Sequence, residues 1–382
     1  MKTKTIFPAV AVGLSLVFCT GGIAAPPTLK DAFKADFLIG AALNPSQFCE
    51  SNAVAAALVK QQFNSISPEN VLKWERVHPR PGRFDFSLAD RYVGFGRKNG
   101  MFIIGHNLIW QSQTPAWVFQ EEPGRPVGRE VLLERMRDHI FTVVGRYKGK
   151  IGGWDVVNEA LAEDGSLNPA SPWMRIIGPD YLAKAFEFAH AADPAAELYY
   201  NDFSMEKPPK RAGAVALIRR LKSEGITVAG IGIQGHYTLN WPATNDVAAT
   251  IETFSKLGLK VMITELDVDV LPAAWDQGNA DVSRNFQLQQ KLNPYPSGLQ
   301  EAIQQQLAGR YAELFRVFLR HRDNISRVTF WGVTDGDSWL NNWPVNGRTS
   351  YPLLFDREDR PKPAFDAVVK TAHLENATAK GD

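Results

Sequence analysis

Two glutamates carry the clearest chemical signal in the sequence. Glu159 follows the mostly apolar residues 154–158, and Glu265 follows residues 262–264. Neither has an obvious salt-bridge partner close by in the sequence. Glycoside hydrolysis uses a carboxyl pair of this kind, in which one group protonates the leaving oxygen and the other attacks the anomeric carbon or activates water. The pair therefore predicts a glycoside hydrolase and leaves retention or inversion open, because the distance between the carboxyl groups decides that outcome.

Three polar residues lie where they could support the two glutamates. Asn158 directly precedes Glu159 and could bind a sugar hydroxyl next to the reacting carbon. Asp267 points the same way as Glu265 if the strand continues, since side chains two apart share a strand face. His236 could bridge these two carboxylates and hold Glu265 ionised. The competing interpretations are structural: Asn158 as a strand-end cap and His236 as a histidine hydrogen-bonded in the core.

Cofactor chemistry finds little support in the sequence. The chain has neither a His-Glu-x-x-His motif nor paired-cysteine spacing, so we expect no metal site. Gly230, Gly232 and Gly235 form a Gly-x-Gly-x-x-Gly string of the type found in dinucleotide-binding turns. Apolar residues alternate with these glycines, which indicates a strand rather than a turn that opens a helix. We therefore predict that the protein uses no cofactor.

The elements that position these residues follow an alternating pattern. Short apolar runs alternate with amphipathic segments, as expected for a parallel sheet with crossover helices. The predicted strands are residues 37–41, 65–69, 102–106, 153–158, 197–201, 230–234, 260–265 and 327–331. Helical spacing of apolar residues marks segments 52–62, 129–147, 181–192, 211–224, 300–320 and 362–371. The fold class predicted from eight such units without a linker is α/β, a single (β/α)8 TIM barrel.

Polar residues end most of the predicted strands, and barrel active sites form at the carboxyl ends of strands. The strand-end residues are Glu69, Asn70, His106, Asn158, Glu159, Asn201, Asp202, Gln234, His236, Glu265, Asp267 and Trp331. Loops are polar in any case, so each residue alone has an ordinary explanation. Together they indicate one site, because charged groups flanked by apolar strand residues are costly to desolvate.

Composition limits the class of partner. Lysine and arginine total 42 against 41 aspartate and glutamate residues, so the charge balance favours neither nucleic acid nor anionic membrane as a partner. The ten tryptophans fit a carbohydrate ligand, because flat aromatic faces stack on sugar rings, although tryptophan is also a core residue. We expect a neutral glycan substrate and a monomer.

The N-terminus has the features of a secretory signal peptide. Lys2 and Lys4 precede an apolar run over residues 6–18 and small residues at 21–25. This run is shorter than the roughly 20 residues of a membrane span. We predict cleavage after Ala24, which makes residues 1–24 the signal peptide, 25–372 the catalytic domain and 373–382 a C-terminal tail. A lipoprotein modified at Cys19 is the alternative, disfavoured by bulky Phe18.

Export would place the protein outside the cell or in the periplasm. Loss of the signal peptide removes Cys19, so the mature chain keeps only Cys49 and forms no internal disulfide. The sequence does not distinguish the two locations.

Taken in order, the motifs resemble those of glycoside hydrolase family 10, the endo-1,4-β-xylanases, over nearly the whole mature chain. The matching stretches are residues 67–70 with Lys73 and Trp74, 105–106 with Trp110, 154–159, 234–236, 263–267 and 331–335. The resemblance implies a retaining double displacement with Glu159 as acid/base and Glu265 as nucleophile, supported by His236, Asp267 and Asn158. It implies that the sugar before the cleaved bond contacts Glu69, Asn70, Lys73, His106, Trp110, Asn158 and Gln234, and that Trp331 and Trp339 cover it.

The resemblance also implies xylan or xylo-oligosaccharides as substrate, no cofactor, and calcium, where members bind it, in a structural role only. Gln111 departs from the pattern, since many members have a histidine there, but a glutamine still donates and accepts hydrogen bonds. Residues 271–298 are predicted to form a loop over the aglycone side. Two alternatives remain: a hydrolase acting on another β-linked glycan such as cellulose or mannan, and a silent carbohydrate-binding protein on the same barrel.

Overall fold

The computed structural model describes Met1, residues 28–273 and residues 287–378, with the backbone alone for 375–378. Apart from Met1, the predicted signal peptide lies outside the described residues. So do residues 274–286 of the predicted aglycone loop and residues 379–382 of the predicted tail.

Eight parallel strands form a closed barrel. They are β1 (Leu38–Leu43), β2 (Ser65–Pro68), β3 (Phe102–Ile109), β4 (Gly153–Asn158), β5 (Glu197–Asp202), β6 (Gly230–Ile233), β7 (Lys260–Asp269) and β8 (Ile325–Phe330). Each strand pairs with its sequence neighbour, and β8 pairs with both β7 and β1, which closes the sheet. The predicted single (β/α)8 barrel is confirmed.

A long helix follows each strand. These helices are α1 (Ala53–Gln62), α2 (Ser87–Lys98), α3 (Arg129–Arg146), α4 (Tyr181–Ala192), α5 (Pro208–Ser223), α6 (Thr244–Ser255), α7 (Glu301–Arg320) and α8 (Pro363–Thr378). Shorter helical segments are Leu29–Ala32, Pro45–Phe48, Trp74–Val77, Ala116–Val118, Pro172–Ile176, Gln290–Leu292, Asp335–Asp337 and Trp339–Asn341. A short strand, His236–Thr238, extends the edge of β7, and Gln120–Glu122 pairs with Arg125–Pro126 as a hairpin.

The helices follow from local sequence features. In α7, Leu307, Tyr311, Leu314 and Phe318 recur at intervals of three and four and are buried against the barrel, which gives the helix one apolar face. Asn52 caps α1 by accepting a hydrogen bond from the Ala55 backbone N–H at 3.1 Å. The cap sets where α1 begins, and the apolar face sets which side of α7 meets the sheet.

Most predicted boundaries agree with the structure within a few residues. The main differences are β7, which continues to Asp269, and α8, which extends to Thr378 into residues assigned to the tail. Residues 230–233 form a barrel strand, so the glycine string is not a turn opening a helix, as predicted. Within the described residues, no helix is long and apolar enough to span a membrane.

Candidate active site

A cleft of about 240 Å³ opens at the carboxyl ends of the barrel strands. Its lining residues are Glu69, Asn70, Lys73, His106, Trp110, Gln113, Asn158, Glu159, Gln234, His236, Glu265, Trp331, Trp339 and Trp343. Twelve of the thirteen residues proposed from the sequence are in this set, and the thirteenth, Asp267, lies directly behind it in contact with His236. Residues from distant parts of the chain therefore meet in one cleft, because each follows a strand of the same barrel.

Glu159 lies at the first position after β4 and is 8% exposed. Its Oε2 accepts a hydrogen bond from the Trp110 indole at 2.7 Å. Its Oε1 accepts from the side-chain amides of Gln234 at 2.9 Å and Asn158 at 3.1 Å. Three neutral donors thus fix the carboxyl group in the cleft.

Glu265 lies within β7 on the other side of the cleft and is 4% exposed. Its Oε1 accepts a hydrogen bond from the Asn201 amide at 2.8 Å, and its Oε2 lies 3.2 Å from His236 Nε2. The Asn201 amide also donates to Asn158 at 2.8 Å. Asn201 therefore links the surroundings of the two glutamates.

His236 bridges two carboxylates. Its Nδ1 lies 3.1 Å from Asp267 Oδ1, while its Nε2 faces Glu265. The other oxygen of Asp267 accepts a hydrogen bond from the Trp339 indole at 2.8 Å. Trp339 in turn lies 4.8 Å from the His236 ring and stacks on Trp343 at 4.6 Å. These contacts fix the orientation of the imidazole relative to Glu265.

The two glutamates have opposite pKa shifts. Burial, then the charge of Asp202 and to a smaller extent that of Glu265, raise the pKa of Glu159 to about 7, although hydrogen bonds from Gln234 and Trp110 oppose the shift. Burial also acts to raise the pKa of Glu265, but His236, His106 and Asn201 together lower it below its ordinary value. Near pH 6, Glu159 is therefore mostly protonated and Glu265 is ionised.

His236 is a cation that helps to keep Glu265 ionised. Burial acts to lower the pKa of His236, but the charges and hydrogen bonds of Asp267 and Glu265 outweigh it and raise the pKa to about 10. The imidazolium therefore donates both N–H groups at neutral pH, one to each carboxylate.

The β2 side of the cleft contains a buried lysine. Lys73 Nζ donates to Asn70 at 3.0 Å and to Gln113 at 2.7 Å, and it lies 5.0 Å from the centre of the Trp110 ring. Burial lowers the pKa of Lys73, against the opposing charges of Glu265 and Glu69. Lys73, Asn70, Gln113 and Glu69 therefore offer an ammonium group, two amides and a carboxyl group to the cleft, and such groups bind sugar hydroxyls.

His106 and Trp331 form the floor of the cleft. His106 Nδ1 lies 2.9 Å from Asp155 Oδ2, which fixes the ring, and Trp331 meets the His106 ring edge-on at 5.3 Å. Trp331 is 7% exposed, so only a small part of the indole is open to a ligand.

Three residues of the site were not assigned a role from the sequence. Asn201 was noted only as a strand-end residue, and Gln113 and Trp343 were not singled out. Asn201 had a usable signal, because it lies near the end of β5, the strand that pairs with the one preceding Glu159. Trp343 had none, since its position depends on stacking with Trp339. Among the described residues, no cluster of three or more histidine, cysteine or carboxylate side chains could hold a metal ion.

Comparison with known proteins identifies the family. The model of glycosyl hydrolase family 10 matches residues 28–371. The chain belongs to this family. It is 44% identical over 361 residues to an endo-1,4-β-xylanase A from Xylanibacter ruminicola, covering 92% of this chain and 98% of the relative. A β-1,4-xylanase from Dictyoglomus thermophilum is 41% identical over 345 residues, with 90% and 91% covered.

Solved structures of the family agree with the fold. A family 10 endoxylanase retrieved from a sugarcane soil metagenome superposes with a TM-score of 0.86 at 44% identity, covering 90% of this chain and 99% of that one. The family 10 member described here is therefore a glycoside hydrolase.

Proposed function

We propose that the protein is an endo-1,4-β-xylanase that hydrolyses xylan with retention by double displacement. Glu265 attacks the anomeric carbon while Glu159 protonates the departing glycosidic oxygen, which forms a covalent glycosyl-enzyme. Glu159, now ionised, removes a proton from water, and the oxygen of that water displaces Glu265 from the anomeric carbon. The acid is thereby regenerated and the nucleophile released.

The observation that carries this proposal is the opposite pKa shift of two carboxyl groups in one cleft. A general acid must be protonated and a nucleophile ionised at the same pH, and the enzyme achieves this through environment. A pKa of about 7 for Glu159 suits the acid, and the lowered pKa of Glu265 suits the nucleophile. The reverse assignment would need each group in its less populated form.

Support for xylan comes from the relatives and from the shape of the cleft. The two relatives above are named as xylanases, and Trp339, stacked on Trp343 beside His236, lines the cleft where the sugar would bind. Xylose units lack the hydroxymethyl group of glucose and mannose, so a narrow cleft favours them. Glu69, Asn70, Lys73, His106, Asn158 and Gln234 would bind the hydroxyls of the sugar before the cleaved bond, with Trp110, Trp331 and Trp339 around it.

The protein would act after export. In this proposal residues 1–24 are removed as a signal peptide, and residues 25–372 work as a monomeric catalytic domain in the periplasm or outside the cell. Asp267 and His236 would keep Glu265 ionised and oriented. Asn158 would bind the hydroxyl next to the reacting carbon.

The first test is release of reducing ends by the mature protein from xylan, carboxymethyl cellulose and mannan, with Glu265→Ala as the blank. We expect selective hydrolysis of xylan, and proton NMR of the first product should show the β-anomer. Activity on cellulose or mannan alone would contradict xylan as the substrate but would remain consistent with the two-glutamate mechanism. Inactivity on all three would favour a binding protein.

The second test separates the two glutamates. Glu265→Ala should lose activity on every substrate. Glu159→Ala should lose hydrolysis of xylan but retain the first step on aryl xylosides whose leaving groups need no protonation. Equal loss on both substrate types would contradict the role proposed for Glu159.

A further inference from the structure

The backbone at Glu159 adopts a conformation that has to be held by its surroundings. Its φ angle is 58°, in the left-handed region that residues other than glycine seldom occupy. The Glu159 N–H donates to the Asn201 carbonyl at 2.9 Å. Such a conformation persists only where neighbouring groups stabilise it, and it is common at functional sites.

Two side chains of β5 hold the residues that follow. The Ala160 N–H donates to the Tyr200 hydroxyl at 3.2 Å, and the Leu161 N–H donates to Asp202 Oδ2 at 3.3 Å. The Tyr200 hydroxyl donates to the same Asp202 oxygen. Tyr200 and Asp202, both without exposed surface, thus bind the two backbone N–H groups directly after Glu159.

Asp202 is itself fixed from the other side. Its Oδ1 lies 2.9 Å from Lys210 Nζ on α5 and accepts the Phe203 N–H at 2.8 Å. Lys210 also has no exposed surface, and its ammonium lies 3.4 Å from the centre of the Phe203 ring. A buried ion pair of this kind is costly to desolvate, so its presence is weak evidence for stability.

We propose that Tyr200 and Asp202 are positioning residues that clamp the backbone after Glu159 and so aim its carboxyl group at the leaving oxygen. This inference rests on the proposed function of Glu159. Neither residue lines the cleft, and both act through the Glu159 turn. The negative charge of Asp202 adds a second effect, since it helps to keep the acid protonated at the working pH.

The first arm of the test removes the Tyr200 hydroxyl and leaves the ring in place. Tyr200→Phe should lower kcat/KM on xylotetraose by about 10- to 100-fold, because a misaligned acid loses that much. On an activated aryl xylobioside, kcat/KM should change much less, since that leaving group needs no proton. Tyr92→Phe is the matched control: Tyr92 is a fully buried barrel tyrosine whose hydroxyl binds the Ile66 and Ile104 carbonyls at 2.9 Å.

The second arm removes the charge of Asp202. Asp202→Asn should move the basic limb of the kcat/KM profile to lower pH, because Glu159 then loses a proton more readily. Asp335→Asn is the matched control, since Asp335 pairs with buried Lys362 at 2.8 Å and should leave the limb in place. If Asp202→Asn does not fold, Asp202→Asn combined with Lys210→Gln removes both buried charges, whose opposite effects on the pKa of Glu159 largely cancel. The readout for this variant is therefore the loss of kcat/KM on xylotetraose relative to the aryl xylobioside, which the clamp predicts.

Equal loss on xylotetraose and on the aryl xylobioside in Tyr200→Phe would overturn the clamp. An unmoved basic limb in Asp202→Asn would overturn the charge effect of Asp202. In both cases the wild-type enzyme and Glu159→Ala would still behave as proposed. Inactivity of the wild-type enzyme on every glycan, or Glu159→Ala without leaving-group selectivity, would instead overturn the proposed function on which the clamp depends.

Discussion

Removal of one hydrogen bond to Glu159 should raise the pH at which the enzyme loses activity. Gln234 donates from Nε2 to Glu159 Oε1 at 2.9 Å, and this bond lowers the pKa of the carboxyl group. Gln234→Leu keeps a similar volume and removes the donor. A hydrogen bond to an ionised group contributes about 1.5–3 kcal/mol, against about 0.5–1.5 kcal/mol for a neutral one. Loss of this hydrogen bond therefore destabilises the ionised form of Glu159 more than the protonated form.

The difference is about 1 kcal/mol, which corresponds to about 0.7 pKa units at 1.36 kcal/mol per unit. The pKa of Glu159 should therefore rise from about 7 toward 8. Because the first step needs the protonated acid, the basic limb of kcat/KM on xylotetraose should move up by the same amount. Lost sugar contacts would lower the whole profile without moving the limb.

The assay is a pH profile of kcat/KM for wild type and Gln234→Leu, with carboxyl-¹³C glutamate NMR as a titration that does not depend on turnover. Trp110→Phe should move the limb in the same direction, since it also removes a donor to Glu159. A limb that stays in place or moves to lower pH would refute the electrostatic reasoning.

Three further predictions concern other parts of the structure. His236→Asn should lower the free energy of unfolding most below about pH 6.5, and this loss should shrink as the pH rises toward 10. The reason is that folding raises the pKa of His236, so its protonated form stabilises the folded state only at lower pH. Urea unfolding of both proteins at pH 6 and pH 10 measures the difference. Gly213→Ala should lower the free energy of unfolding by about 1–3 kcal/mol, since the new Cβ would lie 2.1 Å from the Gly165 carbonyl oxygen. Gly309→Ala in α7 should raise the free energy of unfolding by about 0.8–1 kcal/mol, since its Cβ meets open space and alanine favours the helix. Trp339→Ala should raise kcat/KM on an aryl cellobioside relative to an aryl xylobioside by about 10-fold, because the cleft gains room for a hydroxymethyl group. An unchanged ratio of the two kcat/KM values would argue against Trp339 as a source of selectivity.

The barrel could be predicted from the sequence because each strand is a short apolar run that ends in polar residues. The segment 153–158 was bounded correctly, since Gly152 and Glu159 flank it on the two sides. The end of β7 was placed too early, at residue 265, because Asp267 and Asp269 resemble loop residues until the surroundings that bury them are known. Burial of polar groups by residues far away in the chain is a tertiary property, and local pattern does not contain it.

Local sequence pattern was equally insufficient to predict the contacts within the site. The sequence indicated which residues end at the carboxyl face, and from the order of the motifs it suggested two carboxyl groups with different roles. It did not contain the contacts of Asn201 with both halves of the site, nor the Tyr200 and Asp202 contacts behind Glu159. Asp202 was noted as a strand-end residue, but a side chain that points away from the cleft looks the same in sequence as one that points into it.

The contrast between the two glutamates shows which interaction decides a protonation state in this cleft. Both are almost fully buried and both accept hydrogen bonds, so burial and hydrogen bonding alone do not distinguish them. Glu159 accepts from neutral groups only and lies near the negative charge of Asp202, whereas Glu265 lies 3.2 Å from the imidazolium of His236. A neutral donor offsets part of the cost of burying an anion, but a cation close by can offset all of it. The proposed assignment of acid and nucleophile therefore follows from where cations and a buried anion lie around the cleft, rather than from any difference between the two glutamates themselves.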